Sequence, residues 1–501
     1  MEKPLSKSKL MAYRQCVRRL WLEVHHPEWC EDSAASKSRL DTGHRVGEIA
    51  QSLYDPDARG TLLNAQTDGY EPTLRRSLEL LASDAPLFEA GFSADGAMAF
   101  ADVLLPVVQG EQRAWRMVEV KSSSSVKDYH RDDAAVQAFV ARRVGVALAS
   151  VSIAHIDSAW VYPGADDYRG LLVEEDLGQD VFSRADEVRS WIADAQTVVK
   201  RDTEPQVTTG AHCTRPFDCG FFVHCTSMEP QAEHPVAWLP RVQTRALRQH
   251  LARPEVRELS EVPDALLNAK QLRVKHHTMA GTCYFDRRGA LQALQPHGWP
   301  AYFLDFETIQ FAVPIWPGTR PYQQIPFQFS LHTLSGSGLL SHTEFLDLSG
   351  QDPSRQFADA LVHACGDVGP VFVYNASFEK TRIKELAGRF APVKPALLAI
   401  NRRIVDLQPV AEAHYYHPSQ QGSWSIKKLL PAVVPSLSYS ALTGVQDGGM
   451  AMDAYLEAIA ADTGAERKIQ IGRQLLAYCQ LDTYAMLRIW QVFADRGDLR
   501  L

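Results

Sequence analysis

The 501-residue chain has no run of about 18 consecutive apolar residues, so no membrane-spanning helix is expected. Its first 16 residues carry no apolar core of the secretory kind; no export signal is expected, and the expected location is the cytoplasm. Cysteine is scarce: the eight present are too few for a disulfide scaffold. A surplus of positive charge is also lacking. Lys and Arg number 52 against 60 Asp and Glu, a net charge of −8, which argues against a generally basic coat for nucleic acid. Internal repeats and low-complexity tracts do not occur, the serine run 122–125 being short enough for a loop.

What remains is an ordinary globular composition, 45% apolar and 22% charged, in a chain long enough for about two to four domains. Residues 5–25 and 38–54 read as helices. Strand-like runs start at Leu87, Ala97 and Trp115, the last two separated by the turn signal Gln109–Gly110. Residues 132–144 and 180–200 read as helices and 158–163 as a strand. From residue 300 the pattern is strands over 301–309, 326–334, 342–348 and 370–375, helices over 356–364 and 377–387, and a strong final helix over 466–493. Residues 230–299 have few strand signals and prolines at their edges, and read as a mostly helical connector. Between positions 241 and 288 ten Lys and Arg face five Asp and Glu. This basic stretch reads equally as a solvated helical face or as a contact for a phosphate backbone. The expected organisation is an α/β chain with domains at 1–229 and 300–501 around the connector.

Asp102 ends an apolar strand, and Glu119 and Lys121 sit two apart on the next, so their side chains share one face. Two carboxylates can hold a divalent cation with water, and a lysine beside them can orient the attacking water and steady phosphate charge. Glu119-Val120-Lys121 alone would fit a merely wet strand face. The order His44, Asp102, Glu119-x-Lys121, Gln137 resembles the RecB-like branch of the PD-(D/E)XK nucleases. That resemblance implies a restriction-endonuclease-like core in which these five positions form the metal site and its supports. Ala141 stands where that branch carries a tyrosine.

Cys213, Cys219 and Cys225 fall within thirteen residues, with Pro and Gly between them, and a compact loop can gather them. A metal centre needs a fourth ligand, for which Cys16 is the candidate; zinc and iron–sulfur clusters both accept four thiolates. Cys30, Cys283, Cys365 and Cys479 show no ligand spacing and read as core or surface residues. Cys16 followed by Val17-Arg18-Arg19-Leu20-Trp21, with three cysteines after the nuclease core, is similar to the iron–sulfur nucleases, among them CRISPR-associated RecB-type and AddB-type enzymes. The resemblance implies a [4Fe–4S] cluster tying the two ends of the domain together, with zinc as the alternative. Such a staple closes a loop of about 200 residues, the kind that gains most from a crosslink.

Leu304-Asp305-Phe306-Glu307-Thr308 puts two carboxylates on one face of a strand whose neighbours imply burial, a costly arrangement unless they are paired or bind metal. Glu379 begins the helix after the strand ending at Asn375, and Tyr478 and Asp482 lie four apart on the final helix, hence on one face. Together these resemble the DEDD exonucleases of the RNase H fold, in the subgroup with a Tyr-x3-Asp motif. That implies a mixed sheet with flanking helices, two divalent ions held by Asp305, Glu307, Glu379 and Asp482, and Tyr478 positioning water. Glu379 stands where Asp is usual; the other candidate, Asp406, reads as structural.

The whole resembles a bacterial fusion of an iron–sulfur RecB-like nuclease with a DEDD exonuclease. It implies Mg2+- or Mn2+-dependent hydrolysis of nucleic acid, DNA by expectation, with trimming from 3′ ends at the second site. Two rivals stand beside it. One is a non-catalytic nucleic-acid scaffold on degenerate nuclease folds, for which Ala141 and Glu379 speak. The other is a ribonuclease, since nothing in the sequence reads the 2′-OH. No protein partner is indicated.

Overall fold

The structure, a computed structural model, describes residues 3–31, 34–253 and 255–498. It is a mixed α/β protein that divides into two compact units. Met1–Gln231 and Phe311–Gln323 form the first; Ala232–Gln310 and Gln324–Leu501 form the second. From residue 232 onward the segment read as a connector thus counts with the second unit.

The first unit holds β1 (Leu5–Ser6), β2 (Thr61–Leu62), β3 (Leu87–Ala94), β4 (Ala97–Gln109), β5 (Gln112–Lys121), β6 (Leu148–Ile156) and β7 (Leu172–Asp176). They make one sheet in the order β2-β3-β4-β5-β6-β7, with β1 paired parallel to β4. β3, β4 and β5 run antiparallel in sequence, as the turn at Gly110 leads one to expect; β6 returns parallel to β5 through the helix Asp128–Arg143. That helix buries Val136 and Val140 against Leu104, Met117, Val151 and Ile153 of the sheet. Each such side chain contributes roughly 1.5–3 kcal/mol when fully withdrawn from water.

Three sequence expectations change here. Residues 5–25 are not one helix. Two helices, Lys7–Gln15 and Val17–His25, meet at Cys16, whose backbone is extended. No Gly or Pro marks this break, so helical periodicity runs straight across it. Residues 158–163 form no strand: a turn closes from Trp160 N–H to Asp157 O, and the pairing of Tyr162 is confined to Gly318 and Thr319. The strands in this region are β6 and β7. Their small and acidic residues, such as Ala149, Ser150, Glu174 and Glu175, hid them. Finally, the helix read over 180–200 is two, Gly178–Ser183 and Ala185–Val199.

The second unit contributes β8 (Tyr284–Phe285), β9 (Ala301–Ile309), β10 (Ile325–Leu334), β11 (Leu340–Leu346), β12 (Val371–Val373), β13 (Ile404–Asp406) and β14 (Tyr415–Tyr416). Five of them build a sheet in the order β11-β10-β9-β12-β13; β10 is antiparallel to both neighbours, and β9, β12 and β13 are parallel. β9 is central and buried along nearly its whole length, as its apolar run requires. The final helix, Ala465–Phe493, lies against β9 and β10. Gln328 Nε2 donates to Leu475 O at 2.8 Å, and Thr483 Oγ1 lies 2.7 Å from Ser330 Oγ and 2.8 Å from His332 Nδ1. Among the described residues no helix is long and apolar enough to cross a membrane.

Candidate metal centres

In the first unit, Asp102 on β4 stands one step beyond the ladder pair Val103–Val118, which sets it across from Glu119 on β5. Its Oδ2 accepts the Val120 N–H at 2.7 Å. Glu119, 1% exposed, is the hub of the site. Its Oε1 accepts from Lys121 at 2.6 Å and from Lys7 at 2.9 Å, and its Oε2 accepts from Gln137 Nε2 at 2.5 Å. Gln137 also donates to Phe100 O at 2.9 Å, spanning β4 and β5. One turn before Gln137 on the same helical face, Asp133 accepts from Lys121 and lies 3.3 Å from the Lys7 ammonium.

The charges follow from these contacts. Burial would raise the Glu119 carboxyl, but Lys121 and Lys7 outweigh it and hold the group well below its ordinary range. For Asp102 the balance goes the other way: burial, with Glu119 adding, outweighs the pull of Lys7 and Lys121 and pushes it well above its ordinary range. Burial, and then Glu119, also raises Glu89 on β3, whose backbone sits at φ +55° inside a strand. Exposed His44, on the helix Ala34–Tyr54, is near enough to Glu89 for its charge to act there. The structure therefore brings Asp102, Glu119, Lys121 and Gln137 together. It adds Lys7, Asp133 and Glu89, of which only Asp133, four residues before Gln137, carried a sequence signal.

The four cysteines singled out in the sequence line one pocket with Arg18 and Arg19. The extended residue between the first two helices is Cys16, and the short helix Phe222–Ser227 carries Cys225. The Cys219 N–H donates to Cys213 O at 2.8 Å, closing the loop between them. Burial pushes the Cys225 thiol up to about 11, opposed by Arg18 and reinforced by Cys219, Cys16 and Cys213. All four are free thiols. Four sulfur donors flanked by two guanidinium groups suit a thiolate-ligated centre in both number and charge.

In the second unit, Asp305 and Glu307 project from one face of central β9, and the final helix presents Tyr478, Cys479 and Asp482 to them. One carboxylate oxygen from each of Asp305 and Glu307 and the Cys479 sulfur all lie within 4.8 Å of one another. Glu379, in the first turn of the helix Ser377–Arg389, is 2% exposed and its Oε2 has no hydrogen-bond partner. Asp406 holds that turn in place: its carboxylate accepts from the N–H groups of Asn375 at 3.0 Å, Ala376 at 2.9 Å and Gln408 at 3.0 Å. It caps a helix and positions Glu379. Tyr439 donates to Asp482 Oδ1 at 2.5 Å, and the Lys427 ammonium stands 5.3 Å from the Tyr478 ring and 5.7 Å from that of Tyr439.

Burial pushes all four carboxyls up: Glu307 and Glu379 to about 8, Asp482 to about 6, and Asp305 well above its ordinary value. Asp482 is the leading charged neighbour raising Asp305 and Glu307; Tyr439 and Lys427 restrain Asp482 itself. Four such groups cannot all be ionised near neutrality without positive charge among them. Tyr439, Lys427 and Cys479 were not read from the sequence as site residues. The first two lie in no motif; Cys479 reads as a core or surface residue for want of ligand spacing, and the structure instead sets it beside carboxylates far away in the chain.

Residues 302–425 match the family described as a domain of unknown function (DUF2779). The match includes Asp305, Glu307 and Glu379 and stops short of Tyr439, Tyr478 and Asp482. The chain is also 30% identical over 206 residues to a protein of Mycoplasma pneumoniae described as "Uncharacterized protein MG366 homolog", an alignment covering 37% of this chain. It spans 31% of the length of that curated relative.

Proposed function

We propose that the protein is a divalent-metal-dependent nuclease with two hydrolytic sites, one in each unit, acting on nucleic acid and on DNA by preference. The observation that carries this reading is the second site, where the buried carboxylates of Asp305, Glu307, Glu379 and Asp482 bear on one another and one oxygen of Glu379 is unpartnered. An acidic pocket of this kind is stable with divalent cations and strained without them. The five-stranded mixed sheet flanked by helices suits an RNase H-like exonuclease core. The first unit's sheet, with a helix between parallel β5 and β6, suits a restriction-endonuclease-like core.

Mg2+ or Mn2+ at these carboxylates would supply Lewis-acid polarisation of the phosphate and lower the pKa of water. The chain's own groups do the rest. Tyr478, one turn before Asp482, orients the attacking water, and Lys427 meets phosphate charge at the edge of the second site. In the first unit Asp102 and Glu119 hold the ion, Lys121 faces the scissile phosphate, and Gln137 fixes the Glu119 carboxylate. The second site trims 3′ ends in keeping with its resemblance.

Cys16, Cys213, Cys219 and Cys225 hold a metal centre that ties the first helices to the end of the first unit. Among the described residues, no three cysteine sulfurs lie within 4.8 Å of one another. A single zinc ion, with sulfurs at about 2.3 Å, would draw them to roughly 3.8 Å apart; the resemblance to the iron–sulfur nucleases favours a [4Fe–4S] cluster over it.

End-labelled single- and double-stranded DNA and RNA, incubated with Mn2+, test the proposal. Cleavage by the parent and loss in the Asp102→Ala, Asp305→Ala double variant is the expected result. Binding of DNA without cleavage would favour the scaffold, and cleavage of RNA alone would favour the ribonuclease.

A further inference from the structure

The geometry points to a second kind of cation at the acidic pocket of the second unit: we propose that Asp305, Glu307 and Cys479 bind a divalent ion of the zinc class, with the thiolate of Cys479 as a direct ligand. This rests on the second site being a cation site, not on the hydrolysis assigned to it.

Cys479 is fully buried on the final helix, yet its sulfur faces acid. It lies 3.8 Å from Asp305 O and 3.9 Å from Asp305 Oδ2, and within 4.8 Å of ligand oxygens of both Asp305 and Glu307. A cysteine that merely filled a core would be set among apolar side chains. A tetrahedral site with bonds of about 2.0–2.3 Å needs its ligand atoms roughly 3.3–3.8 Å apart, within reach of small side-chain rotations from this arrangement. The second, independent observation is Glu379, whose Oε2 is buried and unpartnered and whose charge bears on Asp305. Lying outside the three mutually close ligand atoms, it adds negative charge beside Asp305 that a bound cation would answer.

The donor types set the choice of ion. Mg2+ takes oxygen ligands and has little use for a thiolate, whereas zinc and cadmium accept sulfur and carboxylate together. When the ion binds, the Cys479 thiol releases its proton to solvent and the thiolate sulfur bonds to the ion, while the carboxylates bond through oxygen. Two modes then compete for Asp305 and Glu307: hard ions held by carboxylates alone, and a zinc-class ion that also engages sulfur. A zinc-class ion in the pocket displaces the hard ions and inhibits the site.

Cadmium is the probe, because its bonds to sulfur give a charge-transfer absorption in the ultraviolet. The full-length protein, with its other cysteines unchanged, is titrated with Cd2+ alongside Cys479→Ser and Cys479→Ala, and Mn2+ binding to each is followed by electron paramagnetic resonance. Taking the difference between parent and variant removes the contribution of the first unit's cysteines. The expected result is one additional equivalent of Cd2+ with sulfur absorption in the parent. Both variants lose that absorption and bind Cd2+ at least about 10-fold more weakly at this site, the least that losing even an outer partner of a ligand costs, yet still take up Mn2+. Equal Cd2+ uptake and absorption in parent and variants, with Mn2+ binding intact, overturns the inference and leaves the carboxylate site standing. If Asp305→Asn changes neither Mn2+ nor Cd2+ binding, the cation site itself is refuted.

Discussion

Tyr439 and Asp482 share a hydrogen bond of 2.5 Å across 43 residues of chain, the phenol donating to Oδ1 of a carboxylate with a raised pKa of about 6. The phenol supports the ionised form, so Tyr439→Phe raises Asp482 further. A hydrogen bond to a charged group is worth about 1.5–3 kcal/mol, equivalent to roughly one to two pH units. The pH midpoint of Mn2+ binding at the second site should move upward by about that much. A midpoint that stays in place or falls would show that the phenol does not govern Asp482.

Metal-free protein should lose stability as pH rises from about 4 toward 8. Glu307 and Glu379 stand at about 8 in the fold against 4.5 ordinarily, so the folded state binds more protons than the unfolded chain across that window. Stability falls with pH wherever the folded state holds the extra protons. Glu307→Gln removes one such group. Thermal melts in chelator should show this variant more stable than the parent at pH 8 and close to it at pH 5, while Mn2+ raises the melting temperature of the second unit more in the parent than in the variant.

Lys7 pairs with Glu119 at 2.9 Å and Asp133 at 3.3 Å. Lys7→Met leaves buried carboxylates short of a partner, at a cost of about 3 kcal/mol in the first unit at pH 7. Glu119 is held below its ordinary pKa, so the stability it contributes is present above about pH 4.5 and fades as acid protonates it. The difference between parent and variant, read from urea unfolding followed by a probe in the first unit, should shrink as pH falls below 4.5. A difference independent of pH would point to lost packing instead.

Glu89 occupies φ +55° within β3 and carries a carboxyl whose ionised form is disfavoured by burial and by Glu119. Non-glycine residues in that region cost roughly 1–3 kcal/mol, and such strain gathers at functional sites. Glu89→Gly should raise the melting temperature of the first unit and slow cleavage there in an Asp305→Ala background. A variant more stable and fully active would make Glu89 a strained bystander.

The cysteine centre is tested by metal content. Protein purified without oxygen should contain iron and acid-labile sulfide. Cys16→Ser or Cys225→Ser should lose both and destabilise the first unit, and Cys283→Ser should keep both. Zinc without iron would replace the cluster with a single ion and leave the ligands unchanged.

Much of the second site was legible because its signals are short-range. Asp305 and Glu307 alternate on an apolar strand, and Tyr478 and Asp482 lie one helical turn apart, so each pair's shared face follows from local geometry. Glu379 was marked by the strand-to-helix passage at Asn375, and the helical N-cap role of Asp406 agrees with its structural reading. Lys7 gave no such sign: it reaches Glu119 across 112 residues only because the first helix packs against β4 and the helix Asp128–Arg143. Strand β6 was missed because small residues within it left no strong alternation to read.

By itself, then, the sequence determined which residues share a face: Glu119 with Lys121 on β5, the two carboxylates on β9, the Tyr-x3-Asp turn, three cysteines within one loop. These follow from the fixed periods of strand and helix, which are local properties of the backbone. Only the tertiary structure decided which faces meet. It set Lys7 and Asp133 around Glu119, turned Cys16 out of a helix toward three distant thiols, and brought Tyr439 and Cys479 to the carboxylates of β9 and the final helix. Those approaches arise from burial of apolar surface summed over whole elements, a quantity no short window of sequence contains.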